Sequence, residues 1–245
     1  MFAACWRSSM SSLRPPAQFL LRSTIPSPSS VRTTTTTARA ISSSAGVAPR
    51  RRRAYDGLLL DAGGTLLQLA NPVEETYATI GKKFGLSASE SEIKQGFRRA
   101  FAAPATGCSR DDYFEEVYEH YAHGDAWRLP VEAHETMSLL KDAGVKMAVV
   151  SNFDNRLRKL LKDLNVAHLF DAIVISSEVG YEKPRRDIFK SALDQIGVEA
   201  GKAVHIGDDE KADRDGANAF GIDCWLWGSD VKTFAEIYNR ILVAD

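Results

Sequence analysis

The chain has 245 residues, 31 of them basic and 32 acidic, for a formal net charge of −1, and 44% of its residues are hydrophobic. That balance shows no overall basic excess of the kind a nucleic-acid binder carries, and the sequence holds no run of about 18 apolar residues that would span a bilayer. Cys5, Cys108 and Cys224 form no CxxC pair and have no pairs of histidines nearby, which points away from a zinc site or a disulfide framework. No positioned base marks Cys108 or Cys224 as a nucleophile.

Residues 1–53 contain no Asp, Glu or Lys, nine Arg, and many Ser and Thr, including five consecutive threonines at 33–37. Such a stretch cannot bury enough apolar surface to offset its ordering entropy, so disorder is expected. A basic, hydroxyl-rich, acid-free N-terminus has the composition of an organelle transit peptide; Phe19-Leu20-Leu21 is too short for a secretory apolar region. The Ser and Thr content favours a chloroplast over a mitochondrial address, and the basic run at 50–53 reads as the end of the segment. Without it 22 basic residues face all 32 acidic ones, a net charge of −10, again unlike a nucleic-acid partner. About 190 residues remain, enough for one core domain and a small inserted one.

The first strand is expected at residues 55–60, ending in Asp61. Residues 67–129 then read as helical without a strand: Asn71-Pro72 opens one helix, Ser89 caps another, and Asp111-Asp112 opens a third. This is far more than a single βαβ crossover needs, so it is expected to be an inserted helical cap. The core, 54–66 and 130–245, continues with a helix at 131–143 between Pro130 and Gly144. A strand at 145–150 follows, and then a helix at 156–164 with Leu157, Leu160, Leu161 and Leu164 on one face. Strands at 172–175, 203–206 and 222–226 alternate with helices at 187–196 and 212–220. A last helix, 231–242, is expected to take Ser229 or Asp230 as its cap. Short, nearly continuous apolar strands separated by helices predict an α/β fold, a doubly wound parallel sheet of Rossmann type covered on both faces. Trp225 and Trp227 read as core and rim of the last strand, and Asp215 as solvated surface.

Four motifs follow strand C-terminal ends, where open parallel sheets bind ligands. They are Asp61-Ala62-Gly63-Gly64-Thr65-Leu66, Ser151-Asn152, Lys183-Pro184, and Gly207-Asp208-Asp209 with Asp213. Singly each is ordinary: a strand-end carboxylate, a helix cap, an exposed lysine, an acidic first turn. In this order they resemble the haloacid dehalogenase-like superfamily, over the whole chain after residue 53. The tracts VVSNFD (149–154) and EVGYEKPRRDIF (178–189) are most similar to one animal and plant group within it.

The resemblance implies that Asp61 is a nucleophile forming an aspartyl-phosphate, within a catalytic set of Asp61, Thr65, Ser151, Asn152, Lys183 and Asp213. It implies Mg2+ held by Asp61, Asp208 and the Gly63 carbonyl, hard oxygens that suit that ion. Ser151 and Lys183 would hold the phosphoryl oxygens, with Asp213 orienting Lys183 or a metal-bound water. The expected ligand is a small phosphorylated metabolite.

One departure matters. Phosphatases of the superfamily carry a second Asp, a general acid, where this chain has Gly63. General acid–base catalysis is typically worth roughly 10²–10⁴-fold, so alkyl phosphates are expected to turn over slowly and acyl, aryl or anhydride phosphates less so. Two other readings stand beside the phosphatase: a non-catalytic domain binding a phosphorylated ligand, and a 2-haloacid dehalogenase, which would call for a metal-free last motif instead of Asp208-Asp209. A second departure is that Ala102-Ala103-Pro104-Ala105-Thr106-Gly107 joins two cap helices where comparable caps have more helix, leaving the cap short.

Overall fold

Five short apolar runs pair into a single all-parallel sheet in the computed structural model, which describes residues 52–85, 89, 91, 93 and 110–243. In chain order the elements begin with β1 (Arg52–Arg53), β2 (Gly57–Leu60), β3 (Gln68–Leu69), α1 (Val73–Lys83), α2 (Arg110–His120) and β4 (Trp127–Arg128). Next come α3 (Ala133–Asp142), β5 (Lys146–Ser151), α4 (Arg156–Asp163), β6 (Ala172–Ile175), α5 (Ser176–Val179) and α6 (Arg186–Ile196). The chain closes with β7 (Ala203–Gly207), a π-helical segment (Glu210–Asp215), α7 (Gly216–Phe220), β8 (Asp223–Leu226), α8 (Phe234–Ile241) and β9 (Leu242–Val243).

The sheet order is β6-β5-β2-β7-β8, with β2 at the centre and Leu58 in register with Met147 on one side and Val204 on the other. Side chains alternate between the faces of a strand, so β2 serves two cores. Leu58 and Leu60 pack with Met137, Leu140, Leu157, Leu160, Phe234 and Ile237 from α3, α4 and α8. Leu59 packs on the other face with Ile188, Phe189, Ala192, Leu193 and Ala217 from α6 and α7. Burying each leucine contributes about 1.5–3 kcal/mol. Because all four residues of β2 are buried, the sheet has no wet face at its centre, which is why the run reads as continuous rather than alternating.

Several expectations need correction at element ends. The last helix is capped by Thr233, whose Oγ1 accepts from the Glu236 amide at 3.1 Å, while Glu236 accepts from the Lys232 amide at 2.7 Å. This reciprocal arrangement resembles a capping box. Asp230 instead accepts from the Leu226 amide at 2.8 Å and pairs with Arg214, and Ser229 caps nothing in that helix. The helix expected at 212–220 is a π-helical turn followed by a short α-helix. β1 pairs antiparallel with β9, so backbone pairing begins two residues inside the stretch expected to be disordered.

Pro72 precedes α1, as expected, and Ile93 donates its amide to the Ser89 carbonyl at 2.9 Å, an α-helical bond at the place where a second helix was expected to start. The 102–107 junction lies outside the described residues. The stretch is not free of strands: β3 and β4 pair antiparallel, and two-residue strands are too short to show a period of two. The two passages between the sheet and the inserted helices therefore run side by side. Arg156 of α4 ties the two parts together: it donates to the Tyr118 carbonyl of α2 at 3.2 Å and chelates Asp154 at 2.6 and 2.8 Å.

Candidate active site

The site forms where β2, β5 and β7 end side by side. Asp61 leaves β2 with its amide bonded to the Ile206 carbonyl at 2.8 Å. The chain then folds tightly: Leu67 donates to the Ala62 carbonyl at 2.7 Å and Gly64 to the Leu67 carbonyl at 3.0 Å. Gly64 has φ +88°, and a Cβ there would lie 2.3 Å from Asp208 Oδ2, so two independent constraints demand glycine. Gly207 is required for space, since a Cβ would lie 2.1 Å from the Asp213 carboxyl carbon. Gly63 is different: a Cβ there would meet nothing within 4 Å.

Sequence-distant groups converge on Asp61. Ser151 Oγ donates to Asp61 Oδ1 at 3.1 Å, and Lys183 Nζ donates to the same oxygen at 2.6 Å. Lys183 Nζ also reaches Asp213 Oδ1 at 2.6 Å, and Asp213 Oδ2 accepts the Asp209 amide at 3.0 Å. All four side chains are buried, with Lys183 only 3% exposed. A buried ammonium persists only where it is paired, and here two carboxylates hold it. Asn152 does not face Asp61: its amide group brackets the Lys183 backbone, donating to the Lys183 carbonyl at 3.0 Å and accepting its N–H at 2.7 Å. It fixes the Lys183 backbone at the end of β5. Thr65 is fully buried, and its Oγ1 has no hydrogen-bond partner among the described residues.

The electrostatics follow from burial and these pairs. Burial raises the Asp61 carboxyl to about 6, against the pull of Lys183 and with added repulsion from Asp213. Burial would raise Asp213 too, but Lys183 and the hydrogen bond from His205 outweigh it and hold that carboxyl well below the usual range. Burial would lower the Lys183 ammonium, yet the two carboxylates hold it above its ordinary value. Asp208 is raised although its side chain reaches solvent, first by the partial loss of water around its carboxyl and then by Asp213. Away from this cluster, burial pushes the Cys224 thiol up to about 12, so it is the unreactive thiol expected from the sequence.

These directions predict a stability effect. The folded Asp61 carboxyl titrates above its unfolded value of about 3.9, so metal-free protein loses stability as pH rises from about 4 to 6. Asp61→Asn removes the buried charge. Its Tm is expected to match wild type near pH 4 and to exceed it by about 5 °C at pH 7.5 in chelator; equal melting at both pH values would contradict the buried-charge account.

Oxygen ligands of Asp61, Asp208 and Asp213 lie within 4.8 Å of one another. Asp61 Oδ1 and both Asp213 oxygens carry hydrogen bonds, whereas Asp208 is exposed and Asp61 Oδ2 receives no hydrogen bond among the described residues. The donor set, hard carboxylate oxygens with one open to solvent, fits a divalent cation such as Mg2+. Asp209 is not part of it. Its side chain caps the π-helical segment, accepting from the Lys211 and Ala212 amides at 2.9 and 2.7 Å, so only Asp208 of that pair is available.

One residue of the cluster was not foreseen. His205, fully buried in β7, contacts Asp213 Oδ1 through Nε2 at 2.7 Å. The signal was a single polar residue in the apolar run AVHIG, since a buried polar group requires a partner.

The family follows from fold, site and comparison together. The profile of the haloacid dehalogenase-like hydrolases matches residues 55–221, more than half of the chain, and the chain belongs to this family. It is 30% identical over 201 residues to human haloacid dehalogenase-like hydrolase domain-containing protein 3, covering 69% of this chain and 80% of that protein. It is also 30% identical over 159 residues to a phosphoglycolate phosphatase of Aquifex aeolicus, covering 62% and 75%. The fold matches the crystal structure of a HAD phosphatase from Thermococcus onnurineus at 23% identity and a TM-score of 0.57, over 78% of this chain and 99% of the other. The hydrolase class and the parallel-sheet fold are thus established.

Proposed function

We propose that the chain is a Mg2+-dependent phosphatase-type hydrolase of small phosphorylated metabolites, acting through an aspartyl-phosphate on Asp61. The observation that carries this reading is the convergence of Ser151 and Lys183 on one oxygen of Asp61, with Asp208 beside them. Asp61 and Asp208, with the Gly63 carbonyl, would hold the cation, which supplies charge neutralisation for a bound phosphate. Ser151 and Lys183 donate to the phosphoryl oxygens, where negative charge is spread in the transition state. Asp61 attacks phosphorus and releases the leaving group; water then cleaves the acyl phosphate and restores the carboxylate. A relative named for phosphoglycolate hydrolysis supports the substrate class.

Trapping tests the site. Beryllofluoride with Mg2+ is expected to raise the Tm of wild type by several degrees, by mass action on the folded state, and to leave Asp61→Asn unmoved. No shift in wild type would overturn the phosphoryl-site reading. Gly63 favours a second reading, a domain that binds a phosphorylated ligand without turnover: trapping would succeed and steady-state hydrolysis would be absent. The acid-free segment 1–53 supports a plastid address; a fluorescent protein fused to it is expected in chloroplasts, and accumulation in mitochondria would select the alternative.

A further inference from the structure

β7 carries one polar side chain in a fully buried strand. Val204 and Ile206 face one core, while Ala203 faces the other, the core that holds Phe189. His205 shares that second face, its ring edge-on to Phe189 at 5.3 Å between centroids and 82° between planes. An apolar residue would fill this space at no polar cost. Instead His205 leaves Nδ1 buried without a hydrogen-bond partner among the described residues, a destabilising arrangement, and commits Nε2 to Asp213 Oδ1 at 2.7 Å. A carboxylate only accepts, so the proton of this contact sits on Nε2.

Asp213 is held from three sides. Lys183 Nζ and His205 Nε2 share Oδ1, and the Asp209 amide takes Oδ2. Two of these donors belong to β7 and to the residue that opens the helical turn after it, so they fix the carboxylate to the sheet. The third, Lys183, comes from the loop after α5 and is shared with Asp61. Without the ring N–H, Oδ1 keeps only Lys183, and the carboxylate, tied to the sheet by the Asp209 amide at Oδ2 alone, pivots with the ammonium instead of anchoring it.

We propose that His205 is a positioning residue: its ring N–H fixes the Asp213 carboxylate and, through it, the Lys183 ammonium against Asp61. The effect on turnover rests on the phosphatase reading; the effect on Asp213 does not. Two variants of similar length separate the donor from the packing, His205→Gln, which keeps an N–H at that distance, and His205→Met, which does not. His205→Met is expected to lower kcat for an aryl phosphate by about 10–100-fold, a typical loss for a residue acting through its neighbour, with KM moved less than threefold. His205→Gln is expected to recover most of that loss. In an Asp213→Asn background His205→Met is expected to add nothing.

A second measurement is independent of turnover. The Asp209 amide proton reports the Asp213 carboxylate directly, and its protection from exchange is expected to fall at least tenfold in His205→Met relative to the Leu59 and Leu60 amides and to be kept in His205→Gln. Equal kcat in wild type and His205→Met, or matched losses in both variants that follow Tm, would overturn the proposal. If wild type neither turns over nor binds beryllofluoride, the phosphatase reading fails while the Asp209 amide still decides the role of His205: altered in Met alone it stands, unaltered it falls.

Discussion

Gly63→Asp is expected to raise kcat/KM toward alkyl phosphates by about 10²–10⁴-fold, the usual worth of a positioned general acid. The position lies two residues beyond Asp61, and a new Cβ meets nothing within 4 Å. Gly63 is also absent from the glycines with positive φ, so an L-residue enters without backbone strain. The neighbouring glycine admits no such change, because a Cβ at Gly64 collides with Asp208. The gain is expected to be largest for poor leaving groups and small for aryl phosphates, whose oxygen departs without a proton. A steady-state series over leaving groups of graded acidity measures this. A gain equal across the series, or none, would mean that protonation of the leaving group does not limit the wild-type enzyme.

Lys183→Met is expected to combine two losses. Its ammonium is the donor from which both Asp61 and Asp213 accept at 2.6 Å, and all three groups are buried. Removing one partner of a buried ionic cluster leaves charge uncompensated and typically costs about 3–5 kcal/mol, or roughly 10 °C in Tm for a domain of this size. Without the ammonium, Asp61 loses the pull that opposes its burial and titrates higher still above its unfolded value. Stability is therefore retained below the unfolded value and lost as pH rises, so the deficit is expected to be full at pH 7.5 and to shrink toward pH 4. Turnover is expected to fall by about 10²–10³-fold, the cost of one missing donor to transition-state charge. Thermal melts across pH and single-substrate kinetics report the two effects separately; a pH-independent Tm deficit would show that lost packing, not unpaired charge, dominates.

Much of the fold was legible because its signals are local. A parallel strand covered on both faces is a continuous apolar run, and residues 172–175 coincide with β6 for that reason. Helix ends were less legible. Thr233 won the cap of α8 over Asp230 because Asp230 is drawn to the Leu226 amide and to Arg214, contacts that depend on how the chain turns after β8. β1 and β9 pair two basic residues with the C-terminal end of the chain, and nothing within either dipeptide announces it.

For the site, residue order alone places Asp61, Ser151 and Asp208 just past apolar strands and gives the sequence of the four motifs, and through them the hydrolase family. Those are properties of spacing along the chain. Which of these groups meet is a matter of packing. Lys183 and Asp61 are 122 positions apart, and they touch because the loop after α5 is held by Asn152 at the end of β5, which lies next to β2 in the sheet. The same packing assigned Asn152 to the Lys183 backbone, Asp209 to a helix cap and His205 to Asp213. A carboxylate, an amide or an imidazole can satisfy many partners, and burial, by removing water as the alternative, selects the one that lies within reach.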